Sequence, residues 1–162
     1  NIVREYCIMK LSTKFLLVSI LLLTFEANAT NPTFNHKGIQ KGAISESCYR
    51  DPCSVVKVMK FEILKKTPQA TSIKLKLVGG SREWDAKKTL WNHDFHNVYV
   101  TCSIKKPTVK IGDQITIVPI NPEGAISGVL ISDAELYLHT CHNYDGAIEE
   151  AAKKYGYNVK EF

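Results

Sequence analysis

One segment near the start of the chain decides which residues can join the fold. Basic residues precede an apolar run over residues 15–23, and Ala27-Asn28-Ala29 has the small-x-small form of a signal peptidase site. We therefore predict a secretory signal peptide over residues 9–29 and a mature chain that begins near Thr30. The apolar run is shorter than the roughly 20 residues that cross a bilayer. The pattern thus favours release rather than retention as an integral membrane protein.

The rest of the chain divides into three parts. Residues 1–8 precede the first methionine and are interpreted as an over-extended leader, the alternative being a true amino-terminal arm. Residues 30–47 are polar and without periodic pattern, which predicts a flexible N-terminal arm. Residues 48–158 are predicted to form a single globular, disulfide-stapled domain. Cleavage after residue 29 leaves 133 residues, enough for one domain with its own core.

The cysteines fit an oxidising compartment. The mature chain contains Cys48, Cys53, Cys102 and Cys141, an even count that implies two disulfides in an exported protein. Three pairings are open, and we favour Cys48–Cys53 and Cys102–Cys141. The first pair encloses a Pro-containing turn, and the second joins an inward strand position to the apolar side of a helix. The longer loop, about 40 residues, would contribute about 4 kcal/mol. We expect a periplasmic or secreted protein of bacterial type.

Alternation of apolar and polar residues predicts β-strands in the middle of the chain. Residues 55–66 and 71–77 read as a hairpin, with the odd-numbered residues of the second run on one face. Residues 98–104 alternate in the same way. Residues 108–120 contain two further short runs around a Gly-Asp turn. Residues 83–91 are predicted to form an irregular strand.

The last third of the chain changes to a helical period. Ser132 and Glu135 form a capping-box pattern, and apolar residues recur at i, i+3, i+4 and i+7 over 134–141. A second helix is predicted over about 146–156, ending at a glycine. The predicted fold class is α+β: an antiparallel β-sheet or small partly open barrel of about five to six strands, followed by two C-terminal helices. The part from about Val55 to Ile131 resembles, in strand pattern, the exported bacterial oligosaccharide/oligonucleotide-binding-like domains, and no residue role follows from that resemblance.

The histidines are the candidate metal ligands. His93 and His96 lie in a predicted polar loop, while Glu135, His139 and His142 share one stripe of the first helix, about a quarter turn from its apolar side. Two imidazoles and a carboxylate at such spacing can hold zinc, copper or nickel. The alternative is that these are ordinary polar residues on a partly exposed helix flank, with no cofactor. The glutamate pattern of zinc proteases is missing.

Catalytic and nucleic-acid patterns find little support. The sequence has no Gly-x-Ser-x-Gly elbow, the mature cysteines are predicted to be paired, and Glu149 and Glu150 point in different directions on a helix. Lys74 and Lys76 lie on the outward side of a strand, but no aromatic residue alternates with them, so nucleic acid is not expected as a partner. The Gly79–Arg82 loop lacks the strand-to-helix context of a phosphate-binding loop.

These observations favour an exported, non-enzymatic binding protein, such as an inhibitor, an immunity-type factor or an envelope ligand-binding module. Its partner would be a protein or a cell-envelope ligand. The mature chain carries 18 basic and 14 acidic residues, a net charge of +4. Because the lysines are scattered, they are interpreted as solvated side chains, the alternative being weak attraction to an anionic surface. The alternative function is a metal-binding or metal-dependent envelope protein built on His93, His96, His139 and His142.

Overall fold

The computed structural model describes residues 32–160, so the predicted leader and cleavage site lie outside the described residues. Six antiparallel strands form one open sheet, and their order in space is their order in sequence. This confirms the predicted α+β fold. Strands in sequence order form a meander, which differs from the Greek-key barrel of oligonucleotide-binding folds. The elements are β1 (Ile44–Ser47), β2 (Cys53–Lys66), β3 (Ala70–Arg82), β4 (Leu90–Ser103), β5 (Thr108–Ile111), β6 (Gln114–Ile117), α1 (Ile131–His142) and α2 (Ile148–Tyr155).

The sheet has one buried face, as the alternation predicted. Thr71, Ile73, Leu75 and Leu77 of β3 are all buried, and the inward residues of β4 lie beside them in register. Helix α1 packs over this face. Long β2 and β3 pair along almost their whole length, with register shifts between residues 58 and 60 and between 63 and 65 of β2. Strand β1 covers only residues 54–57 of β2, so the rest of that edge has no neighbouring strand among the described residues.

Two disulfides join the cysteines in the predicted pairs. Cys102 of β4 bonds to Cys141 of α1, with both residues fully buried and their Cα atoms 5.5 Å apart. Cys48 bonds to Cys53 across the loop between β1 and β2. Such bonds are consistent with a non-cytoplasmic protein, because disulfides persist in oxidising compartments.

Helix α1 does not begin as the capping-box pattern predicted. A 3-10 helix over 128–130 continues directly into α1, so the helix begins at Ile131 with no side-chain cap. The Ser132 hydroxyl donates instead to the hydroxyl of Ser47, 3.1 Å away. Helix α2 ends where predicted, at Gly156, whose φ of 78° suits glycine. Within residues 32–160 no helix has the length and apolar character that crossing a membrane requires.

Strand β4 begins earlier than predicted. Residues 83–89 form a loop rather than an irregular strand, and β4 runs through 93–96, which were predicted to be a polar loop. Pairing with long β3 overrides the low strand preference of these polar residues. The pairing of β3 with β4 is irregular between Val78 and Gly80 of β3. In the same region of β4, His93 adopts a φ of 61°.

The segment predicted to be a flexible arm has a defined place in the fold over its described part, 32–47. Ile39 is fully buried, and residues 44–47 form β1. The backbone N–H of Asn35 donates to the carbonyl of Cys141, and His36 Nδ1 donates to that of Thr140. These bonds satisfy carbonyls at the C-terminal end of α1 that have no partner within the helix. The folded domain therefore extends upstream of Cys48.

Burial of α1 generates the first prediction. Leu138 is buried in the interface between α1 and the sheet, so Leu138→Ala should lower the free energy of unfolding by about 2–5 kcal/mol. Val129 is exposed, and Val129→Ala should change stability by less than about 0.5 kcal/mol. Urea unfolding of both variants measures the difference. Equal midpoints for the two would contradict the packing described.

Candidate functional site

The second face of the sheet is open to solvent. Residues directly opposite each other on neighbouring antiparallel strands share a face. The register therefore places polar side chains of β2, β3, β4 and β5 in rows across the face away from α1. We call this surface the open face. Its defining residues are Lys57, Lys60, Glu62, Lys65, Lys74, Lys76, Phe95, Asn97, Tyr99 and Lys110.

The net positive charge of the described residues is concentrated on the open face. Residues 32–160 contain 18 basic and 13 acidic side chains. The ten residues that define the open face include six lysines and one carboxylate, Glu62, which leaves 12 basic and 12 acidic residues elsewhere. Glu46 and Arg82, on the same side of the sheet beyond Val55, are paired with each other. The strand register therefore gathers onto one surface six lysines that appear scattered along the sequence. Such a patch attracts anions at long range.

Two aromatic rings lie among these lysines. Tyr99 pairs with Lys74, whose Nζ is 5.7 Å from the ring centroid, and the Lys76 Nζ is 4.7 Å from the centroid of Phe95. The rings are 37% and 56% exposed. The sequence of β3, which carries Lys74 and Lys76, gives no sign of these two rings, because the rings lie on the neighbouring strand β4. Only the cross-strand register could have revealed the combination.

A shallow cavity of about 310 Å³ lies in the open face. It is lined by three ammonium groups, one carboxylate and one amide. The ammonium groups can donate to anionic oxygens, and the amide and carboxylate can exchange hydrogen bonds with hydroxyl groups. The lining residues are Lys60, Glu62, Lys74, Lys76 and Asn97.

The structure does not bring the predicted metal ligands together. His93 and His96 are exposed on β4, whereas His139 and His142 are 7% and 5% exposed on α1, so the prediction of a partly exposed histidine stripe was wrong. Glu135 is half-buried, and its Oε2 atom has no hydrogen-bond partner. Within residues 32–160, none of these five residues belongs to a group of three His, Cys, Asp or Glu ligand atoms close enough to share an ion.

Among the described residues one group of three potential ligands does lie close together, but two of its members form a disulfide. Glu46, Cys48 and Cys53 approach one another, but the two sulfurs are bonded to each other. A disulfide offers no thiolate, which is the metal-binding form of cysteine. The cluster is therefore explained by covalent structure.

His139 fastens three parts of the chain together. Its Nδ1 lies 2.5 Å from the Asp145 carboxylate, and its Nε2 lies 2.8 Å from the carbonyl oxygen of Gly38. Both ring nitrogens are thus in contact with oxygen atoms of the protein. A metal could bind this ring only by displacing one of these contacts. The side chain joins α1 to the N-terminal segment and to the loop before α2.

His142 belongs to a second buried network. Its Nε2 lies 2.7 Å from the Tyr157 hydroxyl, which lies 3.0 Å from the hydroxyl of Tyr137. Its ring stacks on Tyr155 at 3.8 Å between centroids. Burial lowers the pKa of His142 from 6.5 to about 4, and electrostatic interactions with His36 and Lys154 add to the effect. The network is enclosed by protein, so we interpret it as structural.

Comparison of the chain with protein-family models, with curated proteins and with solved structures found no match. Function is therefore inferred from the geometry of the chain itself. The open face combines a net positive charge with two exposed aromatic rings and a cavity. The two buried histidines contact protein groups through His139 Nδ1, His139 Nε2 and His142 Nε2.

The lowered pKa of His142 predicts a loss of stability in acid. The unfolded chain binds a proton near pH 6.5, whereas the folded chain resists it until about pH 4. The contribution of His142 to the free energy of unfolding is therefore fully present above pH 6.5 and decreases as the pH falls from 6.5 to about 4. We expect the free energy of unfolding to fall by about 2 kcal/mol between pH 7 and pH 4.5 from this group. His142→Gln should be less stable at pH 7 and should lack this component. Urea unfolding at several pH values would contradict the assignment if both proteins showed the same slope.

Proposed function

We propose that this protein is an exported, non-enzymatic binding protein whose open face binds an anionic glycan of the cell envelope. The observation that carries the proposal is the concentration of the net positive charge on one exposed surface that also presents Phe95 and Tyr99. The two disulfides support placement outside the cytoplasm. Binding rather than catalysis fits the face, because glycoside hydrolysis ordinarily uses a pair of carboxylates and Glu62 is the single acid there.

The spacing of the rings favours an extended ligand. Phe95 and Tyr99 lie four residues apart on β4, which corresponds to about 13 Å along a strand. Asn97 lies between them and faces the same side. A ligand that contacts both rings must therefore be a chain rather than a small molecule.

The polar groups favour a glycan over a nucleic acid. All six basic residues of the open face are lysines, which act as hydrated point charges and lack the planar fork with which arginine grips phosphate. Glu62 lies among them, paired with Lys74 across the strands. A carboxylate in this position repels the charged groups of any anionic polymer but accepts hydrogen bonds from hydroxyl groups. A glycan carries hydroxyl groups between its charges, whereas the backbone of DNA carries a phosphate at every nucleotide and no free hydroxyl. An oxidising compartment also contains envelope glycans as its resident anionic polymers.

Charge reversal tests the site. The triple variant Lys60→Glu, Lys74→Glu, Lys76→Glu should bind polygalacturonate and heparin about 50-fold more weakly than the parent, because attraction becomes repulsion at the centre of the face. The control Lys105→Glu, Lys106→Glu, Lys153→Glu makes the same charge change on exposed residues elsewhere and should lose less than about 3-fold. Titration calorimetry at 50 mM and 300 mM salt measures both affinity and its salt dependence.

The outcomes of this test discriminate between ligand classes. Equal losses in the two triple variants would mean that overall charge, not the open face, governs binding. Tighter binding of a single-stranded oligonucleotide than of either polysaccharide would replace the glycan by a nucleic acid. Failure to bind all three polymers would overturn the proposal.

The aromatic rings should contribute separately from the charges. Phe95→Ala and Tyr99→Ala should each weaken glycan binding about 5- to 30-fold, since a stacking ring contributes about 1–2 kcal/mol. Val129→Ala removes exposed apolar surface elsewhere and should leave binding unchanged. Because both rings are exposed, thermal midpoints should stay near that of the parent. Unchanged affinity in both ring variants would exclude stacking.

A further inference from the structure

Three connecting segments meet at one end of the sheet. The loop between β1 and β2 is closed by the Cys48–Cys53 disulfide, and the Trp84 N–H of the β3–β4 loop donates to its Asp51 carboxylate at 3.1 Å. Tyr49 packs so closely on Gly128 that a Cβ at that glycine would lie 2.5 Å from the tyrosine oxygen. We call the surface formed by residues 48–52, 83–90 and 128–130 the tip.

Arg82 fixes the shape of the tip. Its guanidinium forms an ion pair with Glu46, with Nε 2.6 Å from a carboxylate oxygen. Its Nη1 donates to the carbonyl oxygens of Glu83, Trp84 and Ala86 at 3.1, 3.3 and 2.8 Å. The loop thus wraps around one cation. A loop held in this way loses little conformational entropy when it binds a partner.

The tip presents large apolar side chains to solvent. Trp84 is 60% exposed, and Tyr49, Leu90 and Val129 are also exposed. The Arg50 guanidinium lies 5.6 Å from the centre of the Tyr49 ring. Tryptophan, tyrosine and arginine are the residues most enriched among the energetic centres of protein interfaces. Exposed on preorganised loops, they are placed to be buried by a partner.

Three carboxylates lie together at the base of Trp84. Glu83 and Asp85 flank it in the chain, and Asp51 accepts the hydrogen bond of its backbone N–H. The negative charge of Asp51 and a hydrogen bond to it raise the pKa of Glu83, and Asp85 adds to the effect. Arg82, which donates to the Trp84 carbonyl, is already paired with Glu46. The complement of Trp84 is therefore an apolar cleft with a basic rim.

We propose that the tip is a protein-docking surface that inserts Trp84 into an apolar cleft rimmed by lysine and arginine on a partner protein. The surface is distinct from the open face, so the proposal does not depend on glycan binding. A rigid loop of this kind would suit an inhibitor or an immunity-type factor that occupies the cleft of another protein. The tip also carries Arg50, Lys87 and Lys88, so complementarity depends on placing the partner's basic groups beside the indole.

A displayed library of random, cysteine-closed peptides tests this surface without knowledge of the natural partner. Selection against the folded protein should enrich peptides that combine apolar residues with lysine or arginine. Affinity for an enriched peptide should fall about 20-fold or more in Trp84→Ala. It should fall about 3- to 10-fold in the pair Asp51→Asn, Asp85→Asn. Ile115→Ala, which removes a residue that is 63% exposed on β6, should leave the affinity unchanged.

A second variant separates the preorganisation of the β3–β4 loop from the direct contact that Trp84 makes with a partner. Arg82→Lys retains the charge beside Glu46 and the exposed indole but cannot donate to all three loop carbonyls. It should weaken peptide binding about 5-fold or more through loss of preorganisation. Thermal midpoints of this variant and of Trp84→Ala should stay near that of the parent, which reports folding independently of any binding to the open face.

Three results would overturn the docking proposal. The first is equal peptide affinity for the parent and Trp84→Ala. The second is enrichment of acidic peptides whose binding is lost in the triple variant of Lys60, Lys74 and Lys76. The third is no enrichment at all. None of these results contradicts glycan binding on the open face, and the second would support that face as an anion-binding surface, so the two proposals fail separately.

Discussion

The cross-link between Cys102 and Cys141 fixes helix α1 against one face of the sheet, and the rest of the molecule follows from that one-sided arrangement. Both cysteines are fully buried among apolar neighbours, so the bond lies within the core rather than at its margin. The helices are too short and too close to this face to cover the other one. The far face must therefore be compatible with water, and its lysines meet that requirement while creating a charged surface.

Features that depend on local periodicity could be predicted from the sequence. Alternation over 71–77 identified the buried face of β3, and the positions of Cys102 and Cys141 on inward faces identified their pairing. The N-terminal segment could not be assigned this way. Its contacts to α1, such as Asn35 to Cys141, join residues more than 100 positions apart, and its polar composition gives no period to detect.

The two proposed binding surfaces depend even more on contacts between residues that are distant in the sequence. Lys76 and Phe95 meet because β3 and β4 pair in one register, and a one-residue slip would place them on opposite faces. His139 looked like a helix-flank ligand because its partners, Gly38 and Asp145, are invisible in a helical projection. The type of each side chain indicated the contacts that it can make, but only the tertiary structure shows which of these contacts form.

The unpaired part of the β2 edge gives the lysines a second importance. Val58 still bonds to the backbone of Gly42 and Ala43, but beyond it the edge of β2 has no neighbouring strand among the described residues. An uncovered edge of this kind is the geometry from which aggregates grow. Two register shifts and the charges of Lys60, Lys65 and Lys66 oppose such pairing. Lys60 and Lys65 thus protect the edge of β2 from self-association, in addition to the binding role that we propose for them. If these lysines were replaced to suit a neutral ligand, the edge would lose this protection, so the chemistry of the proposed ligand and the colloidal stability of the protein are linked.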